Sequence, residues 1–209
     1  MSDVKNRINA ILTSEAAKQT AAIINKFAGQ CDTIVEFGSR GAVSGTILID
    51  ALTGRKRRLI GVDLVSDETT DSLAKMAESV GVSYQFWRGH TSQYPLHEMD
   101  GLLWDTFHAG GALFMDLDRM APYIQKYIMV LGVMSFGELS EASAKKFDMA
   151  AVSRELGVDE TGAALGMKAG IAKFLAKNTD WVQVHEFAEL AILGRKVPAT
   201  SRVFGKTKA

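Results

Sequence analysis

The sequence predicts an α/β fold: a mostly parallel seven-stranded sheet, helices on both faces, and an antiparallel pair of strands at the C-terminal edge. Three observations carry that prediction. Short β-branched runs alternate with amphipathic stretches from about residue 30 to about residue 132, as repeated strand-helix units require. Two of these runs, TIVEF and RLIGVDL, are apolar enough to be buried on both faces. The last two, WVQVHEF and AELAILGR, follow one another directly, and so tight a connection permits an antiparallel pair.

Taken in order, residues 4–28 are expected to be helical, with Ser14 a cap inside the segment, Ala17, Ile24 and Phe27 among the apolar positions, and Gly29 as the stop. TIVEF is the first strand. After a glycine turn, Ile47, Leu48, Ala51 and Leu52 form a helical stripe that Gly54 ends. RLIGVDL is the second strand, closing on Asp63 and Leu64. The carboxylates of SDETTD suit a helix N-terminus, and Leu73, Met76, Ala77 and Val80 then share one helical face. VSYQFW and GLLWD are the third and fourth strands, separated by a loop over 88–100. A helix through Leu113, Leu117 and Met120 leads to the strand KYIMVLG. Residues 133–146 read as irregular, while FDMAAVSRELG and GMKAGIAKFLAKN read as helices. No linker interrupts the pattern, so one domain over 1–209 is expected, with an N-terminal helical segment at about 1–30.

Composition narrows the function. With 24 basic and 24 acidic residues the formal charge is zero, which leaves no electrostatic footprint for nucleic acid or an anionic membrane. The one basic cluster, Arg55 to Arg58, is expected to be a solvated loop. No apolar run reaches membrane-spanning length, and the N-terminus lacks the apolar core of a signal peptide. Cys31 is the sole cysteine, which rules out an intramolecular disulfide and points to a cytoplasmic setting, with Cys31 itself an unreactive buried thiol.

The turn after the first strand, VEFGSRGAVSG, sets Glu36 before Gly38, Gly41 and Gly45. Glycines there let backbone approach a ligand closely at a helix N-terminus. The leading Gly-x-Gly of a dinucleotide fingerprint is missing, and so is the Gly-Lys-Ser/Thr of a P-loop. An acid before the first glycine repels phosphate and attracts an ammonium group. An ordinary tight strand-to-helix turn explains the glycines alone equally well. Asp63 adds the second clue, because it ends the next strand, 25 positions after Gly38, where a carboxylate can accept both ribose hydroxyls. One acid for an amine and one for a ribose suit a nucleoside joined to an amino acid, such as S-adenosylmethionine.

VEFGSRGAVSG resembles the first motif of class I S-adenosylmethionine-dependent methyltransferases, and LIGVDL resembles their second. The stretch DGLLWDTFHAGGALFMDLDRMAPYIQKYIMVLG is similar to a subgroup of small-molecule O-methyltransferases and cephalosporin hydroxylase-like proteins, which carry Asp-x-x-His after the fourth strand and a Lys/Arg-Tyr-Ile strand. GIAKFLAKNTDWVQVHEF is similar to the helix and strand that close such domains. The resemblance runs over roughly residues 30–195 and implies a Rossmann-like methyltransferase fold. It further implies that Glu36, with Gly38, Ser39, Gly41 and Ser44, holds the methionine part of the cofactor. Asp63 would take the ribose, Leu64 would pack on the adenine, and Gly89, His90 and Thr91 would read the adenine edge. Asp105 would face the methionine portion or the substrate.

Asp105 and His108, three apart after a strand, could supply a carboxylate and an imidazole at the cofactor mouth, with His108 as a general base. A loop histidine with a local hydrogen bond is the competing reading. Metal-using relatives place ligands at the end of the fifth strand, where this chain has Leu131 and Gly132, so no metal is expected; Glu138 and Glu141 lie further on. The favoured reading is S-adenosylmethionine-dependent methylation of a small-molecule acceptor, at oxygen. The alternative is a non-catalytic S-adenosylmethionine-binding or assembly protein with the same fold. A nucleotide-dependent Rossmann enzyme is a third reading, opposed by the missing Gly-x-Gly. The expected partners are a small molecule and, through the apolar surface of residues 133–170, a second copy of the chain; nucleic acid and membrane are not expected.

Overall fold

The computed structural model describes residues 2–54 and 56–196. Seven strands form one sheet: β1 (Thr33–Phe37), β2 (Arg58–Asp63), β3 (Ser83–Arg88), β4 (Met99–Trp104), β5 (Ile124–Leu131), β6 (Trp181–Phe187) and β7 (Leu190–Arg195). Their spatial order is β3-β2-β1-β4-β5-β7-β6. The first five are mutually parallel, whereas β7 runs antiparallel to both β5 and β6. The antiparallel edge pair expected from WVQVHEF and AELAILGR is therefore present, with the later strand on the inside. Strand order reverses between β1 and β4, and in open α/β sheets that reversal opens a crevice beyond the strand C-termini.

The nine α-helices among the described residues are α1 (Ser2–Ile11), α2 (Glu15–Ala28), α3 (Val43–Leu52), α4 (Glu68–Ser79), α5 (Gly110–Met120), α6 (Glu141–Lys145), α7 (Met149–Leu156), α8 (Glu160–Ala164) and α9 (Met167–Lys177). The single helix expected over 4–28 is two. Ser14 is extended (φ −99°, ψ 153°), and its hydroxyl accepts the Ala17 N–H at 3.1 Å, so it starts a new helix where continuation was expected. Such a cap is worth about 1 kcal/mol. The segment expected to be irregular holds the short α6, before which Ser140 accepts the Ser143 N–H, and a further short helix, α8, follows α7 where Asp159 accepts the Gly162 N–H.

Alternation along the central strands divides the core between the two sheet faces. Val35, Phe37, Val62, Leu102, Trp104 and Val130 face α5 and α9, meeting Leu113, Leu117 and Phe174. Ile34, Leu59, Leu103 and Met129 face α2, α3 and α4, meeting Ile24, Leu48 and Leu73. Cys31 lies in this second layer, and burial pushes its thiol up to about 12, which fits an inert role.

The basic cluster departs from its expected solvated loop. Arg55 lies outside the described residues, but Arg57 is only 5% exposed. Its guanidinium donates to Ala51 O at 2.9 Å and to Gly29 O at 2.7 Å, so it ties together carbonyls near the C-terminal ends of α3 and α2. A cation there satisfies helix-end carbonyls that have no partner within the helix. Among the described residues no helix is long and apolar enough to cross a membrane.

Candidate functional site

A cavity of about 270 Å³ opens beyond the C-terminal ends of β1, β2, β3 and β4, on the α5 side of the sheet. Its floor begins at the turn after β1. Gly38 has φ +85°, and a Cβ there would collide with the Asp105 carbonyl oxygen. The turn and the end of β4 are pinned by backbone bonds, Gly38 N–H to Val62 O at 2.9 Å and Asp105 N–H to Phe37 O at 2.8 Å. Gly41 has φ +91° in open space, so it is glycine for conformation alone. Gly45 is glycine for packing: a Cβ would lie 2.9 Å from Leu73 Cδ1 and 3.1 Å from Glu36 Oε2, because α3 rests directly on both side chains.

Glu36 therefore points away from the cavity, beneath α3. It is fully buried, and neither carboxyl oxygen has a hydrogen-bond partner among the described residues. Burial pushes its titration up to about 8; the charges of Asp105 and Asp63 add to that, and the Ser44 side chain opposes it. At neutral pH Glu36 is accordingly a neutral acid.

Asp63 closes β2 on the cavity wall. Its Oδ2 accepts the Arg40 N–H at 3.0 Å and its Oδ1 the Val65 N–H at 3.4 Å. A carboxylate has about four acceptor positions, so room is left for a ligand's hydroxyls. Leu64, half exposed, continues the wall. Beside it, Gly89, His90 and Thr91 line the cavity from the loop after β3, where the Gly89 N–H donates to Asp63 O at 2.9 Å.

That loop is held by α5. Asp116 Oδ2 accepts from Thr91 Oγ1 at 2.9 Å and from Trp104 Nε1 at 3.0 Å, while Arg119 donates to Tyr94 O at 2.8 Å and Thr91 O at 2.5 Å. Burial raises the Asp116 carboxyl, and the two donated hydrogen bonds oppose that. Sequence reasoning missed Asp116, although an acid inside the Leu113–Leu117–Met120 stripe was a readable signal. It also missed Arg40, Thr106, Phe107 and Glu155, which line the cavity from two loops and α7.

Asp105 follows β4 onto the cavity wall, and His108 stands behind it. His108 Nε2 is 3.4 Å from Asp105 Oδ1, and Nδ1 is 3.2 Å from Glu141 Oε2. The ring stacks on Phe136 with centroids 4.8 Å apart. It also explains Gly132, since a Cβ there would strike the imidazole. Glu141 reaches back to the site, whereas Glu138 pairs with Lys168 at 3.3 Å. Among the described residues no group of three or more His, Cys, Asp or Glu is arranged to hold a metal ion.

Of the residues expected at a cofactor site, Gly38, Asp63, Leu64, Gly89, His90, Thr91 and Asp105 all line this one cavity. Glu36, Ser39, Gly41, Ser44 and His108 are not on its wall. Ser39 and Ser44 are buried beneath the turn.

No protein-family model matches the sequence, and no curated protein matches it. Solved structures do match its fold. The Burkholderia thailandensis 1,6-didemethyltoxoflavin-N1-methyltransferase with bound 1,6-didemethyltoxoflavin and S-adenosylhomocysteine is similar at a TM-score of 0.58 and 15% identity, over 93% of this chain and 84% of that one. Magnesium protoporphyrin IX methyltransferase from Synechocystis PCC 6803, with bound SAH, gives 0.57 at 14% identity over 92% and 93%. An O-methyltransferase from Bacillus cereus in complex with SAH gives 0.52 at 14% identity over 93% and 89%. The likeness is one of architecture: the chain has the Rossmann-like fold of class I S-adenosylmethionine-dependent methyltransferases.

Proposed function

We propose that this protein is an S-adenosylmethionine-dependent methyltransferase acting on a small molecule, with oxygen as the acceptor atom. The observation that carries the reading is the meeting of Gly38, Asp63, Leu64, the Gly89–Thr91 loop and Asp105 around one cavity at the strand-order reversal. Three similar folds carry methyl-transfer names and were solved with the spent form of that cofactor, which supports the choice of ligand.

The residues present fit such a ligand. Asp63 keeps free acceptor capacity for two vicinal hydroxyls. Leu64 and Met115 offer apolar surface to a base, and the loop carrying His90 and Thr91 would meet the base's edge. Gly38 lets the turn on the cavity floor lie directly against the Asp105 backbone, which a side chain would push away. Glu36 acts through position: buried and neutral beneath α3, it supports the turn from behind.

The cofactor would supply an electrophilic methyl group. The chain's part is to align an acceptor against it, exclude water and take the acceptor's proton. Asp105 is the carboxylate on the wall for that last task, with Phe107 and Leu156 giving an apolar surface for an acceptor. The acceptor is read as small because the formal charge is zero, with no polyanion footprint.

Incubation with methyl-labelled S-adenosylmethionine and a panel of phenols, carboxylic acids and amines tests the assignment. Label is expected on an oxygen acceptor. Transfer only to nitrogen would correct the acceptor atom. Tight cofactor binding with no transfer to any member of a broad panel would favour the non-catalytic alternative.

A further inference from the structure

Asp105, His108 and Glu141 form a row that runs from the cavity wall inward. Asp105 lines the cavity, and the imidazole stands between the two carboxylates. The pairing with Glu141 is built into the backbone: His108 N–H donates to Glu141 Oε2 at 3.3 Å, and Glu141 N–H donates to His108 O at 2.8 Å. Phe136 stacks on the ring, and Gly132 leaves space for it. Lys145 closes the far end, its Nζ 2.6 Å from Glu141 Oε1. The histidine and Glu141 side chains are each 16% exposed, against 31% for Asp105, so the row is wettest where it meets the cavity.

Resting on the methyl-donor reading above, we propose that Asp105, His108 and Glu141 act as one proton-accepting row, in which Glu141 positions His108 and the charge of the bound ligand decides whether the row is loaded. With Nδ1–H donated to Glu141, Nε2 turns its lone pair toward Asp105, and the row carries two net negative charges. An acceptor hydroxyl can then release its proton: the O–H bond breaks, the electron pair stays on oxygen, and the proton settles between Asp105 and Nε2. One net negative charge remains, and the imidazole of a row in that state has no lone pair left for a second proton.

Burial works against the imidazolium, but the hydrogen bonds that its ring N–H groups donate to Asp105 and Glu141 outweigh it and raise the His108 titration. A neutral ligand in the cavity leaves that bias toward the loaded form in place. A positive ligand charge near Asp105 favours the unloaded, doubly negative form. The row is thus readied as a base by the charged methyl donor and not by its neutral product. Glu141 is a positioning residue, since it touches His108 and lies off the cavity wall.

The test is an NMR pH titration of histidine-labelled protein, free and saturated with S-adenosylmethionine or S-adenosylhomocysteine. The chain has 4 histidines, and His108→Gln assigns the one in question. His90 lines the cavity and reports binding. The His108 pKa is expected about one unit lower with the sulfonium compound than with the neutral one. Glu141→Gln should lower it by about as much without ligand, while His90 still responds to both compounds. If His90 responds to both ligands and His108 titrates identically with each, ligand gating is overturned. An unchanged His108 pKa in Glu141→Gln would overturn the row. If His90 responds to neither compound, the methyl-donor reading fails and the gating falls with it.

Discussion

The amide N–H of Arg40 donates to Asp63 Oδ2 at 3.0 Å, which latches the acid closing β2 to the glycine turn that follows β1. One carboxylate thus shapes the turn and faces the cavity. Asp63→Ala should weaken S-adenosylmethionine and S-adenosylhomocysteine alike, by roughly tenfold or more, since both carry the same ribose. Asp63→Asn keeps an acceptor for Arg40 and is expected to lose less. Titration calorimetry on both variants checks this, and unaltered affinity in Asp63→Ala would remove the ribose assignment.

Gly38 and Gly41 both have positive φ but should respond differently to alanine. At Gly38 a methyl group meets the Asp105 carbonyl oxygen as well as an unfavourable backbone, so Gly38→Ala should cost about 2 kcal/mol or more. At Gly41 the space is open, and only the left-handed conformation is penalised, at about 1 kcal/mol. Urea denaturation of the two variants compares them; equal losses would show that the contact with Asp105 is not close.

Glu36 makes stability depend on pH. Its ordinary value is 4.5 and its folded value about 8, so between those limits the folded state holds a proton that the unfolded chain has released. Stability from this group is full below the lower limit and is lost as pH rises through the upper one. Glu36→Gln, which cannot ionise, should gain on the wild type as pH rises from about 5 to about 9. Denaturant melts across that range measure the difference, and parallel curves would mean that Glu36 is already ionised in the fold.

Asp116 holds the Thr91 loop to Trp104 from inside α5. Asp116→Ala leaves a buried indole N–H unpaired and should cost about 1–3 kcal/mol. Binding of either adenosyl compound should weaken too, because Thr91 loses its anchor. Loss of stability with full affinity would assign Asp116 to the core alone.

The strands were legible because β-branched runs with sharp ends leave few alternatives, and Asp63 and Asp105 were legible because strand ends in such sheets face the crevice. Glu36 was readable in part: strict alternation through Val35, Glu36 and Phe37 already sets it on the face opposite its neighbours. The resemblance to the methyltransferase first motif points it toward the ligand instead. Glu141 could be named with Glu138 as an acid further on, but not chosen over it, since its partner lies 33 positions earlier and the intervening chain has no period to follow. The helix break at Ser14 shows the reverse case, in which the capping residue was identified but the break was not.

Calorimetric titration of the folded protein with S-adenosylmethionine, S-adenosylhomocysteine and NAD separates the ligands that this cavity could take. Saturable binding of both adenosyl compounds, weakened in Asp63→Ala, is expected, and none of comparable strength for NAD. Folded protein that binds neither adenosyl compound, or that prefers NAD, would contradict the methyl-donor reading.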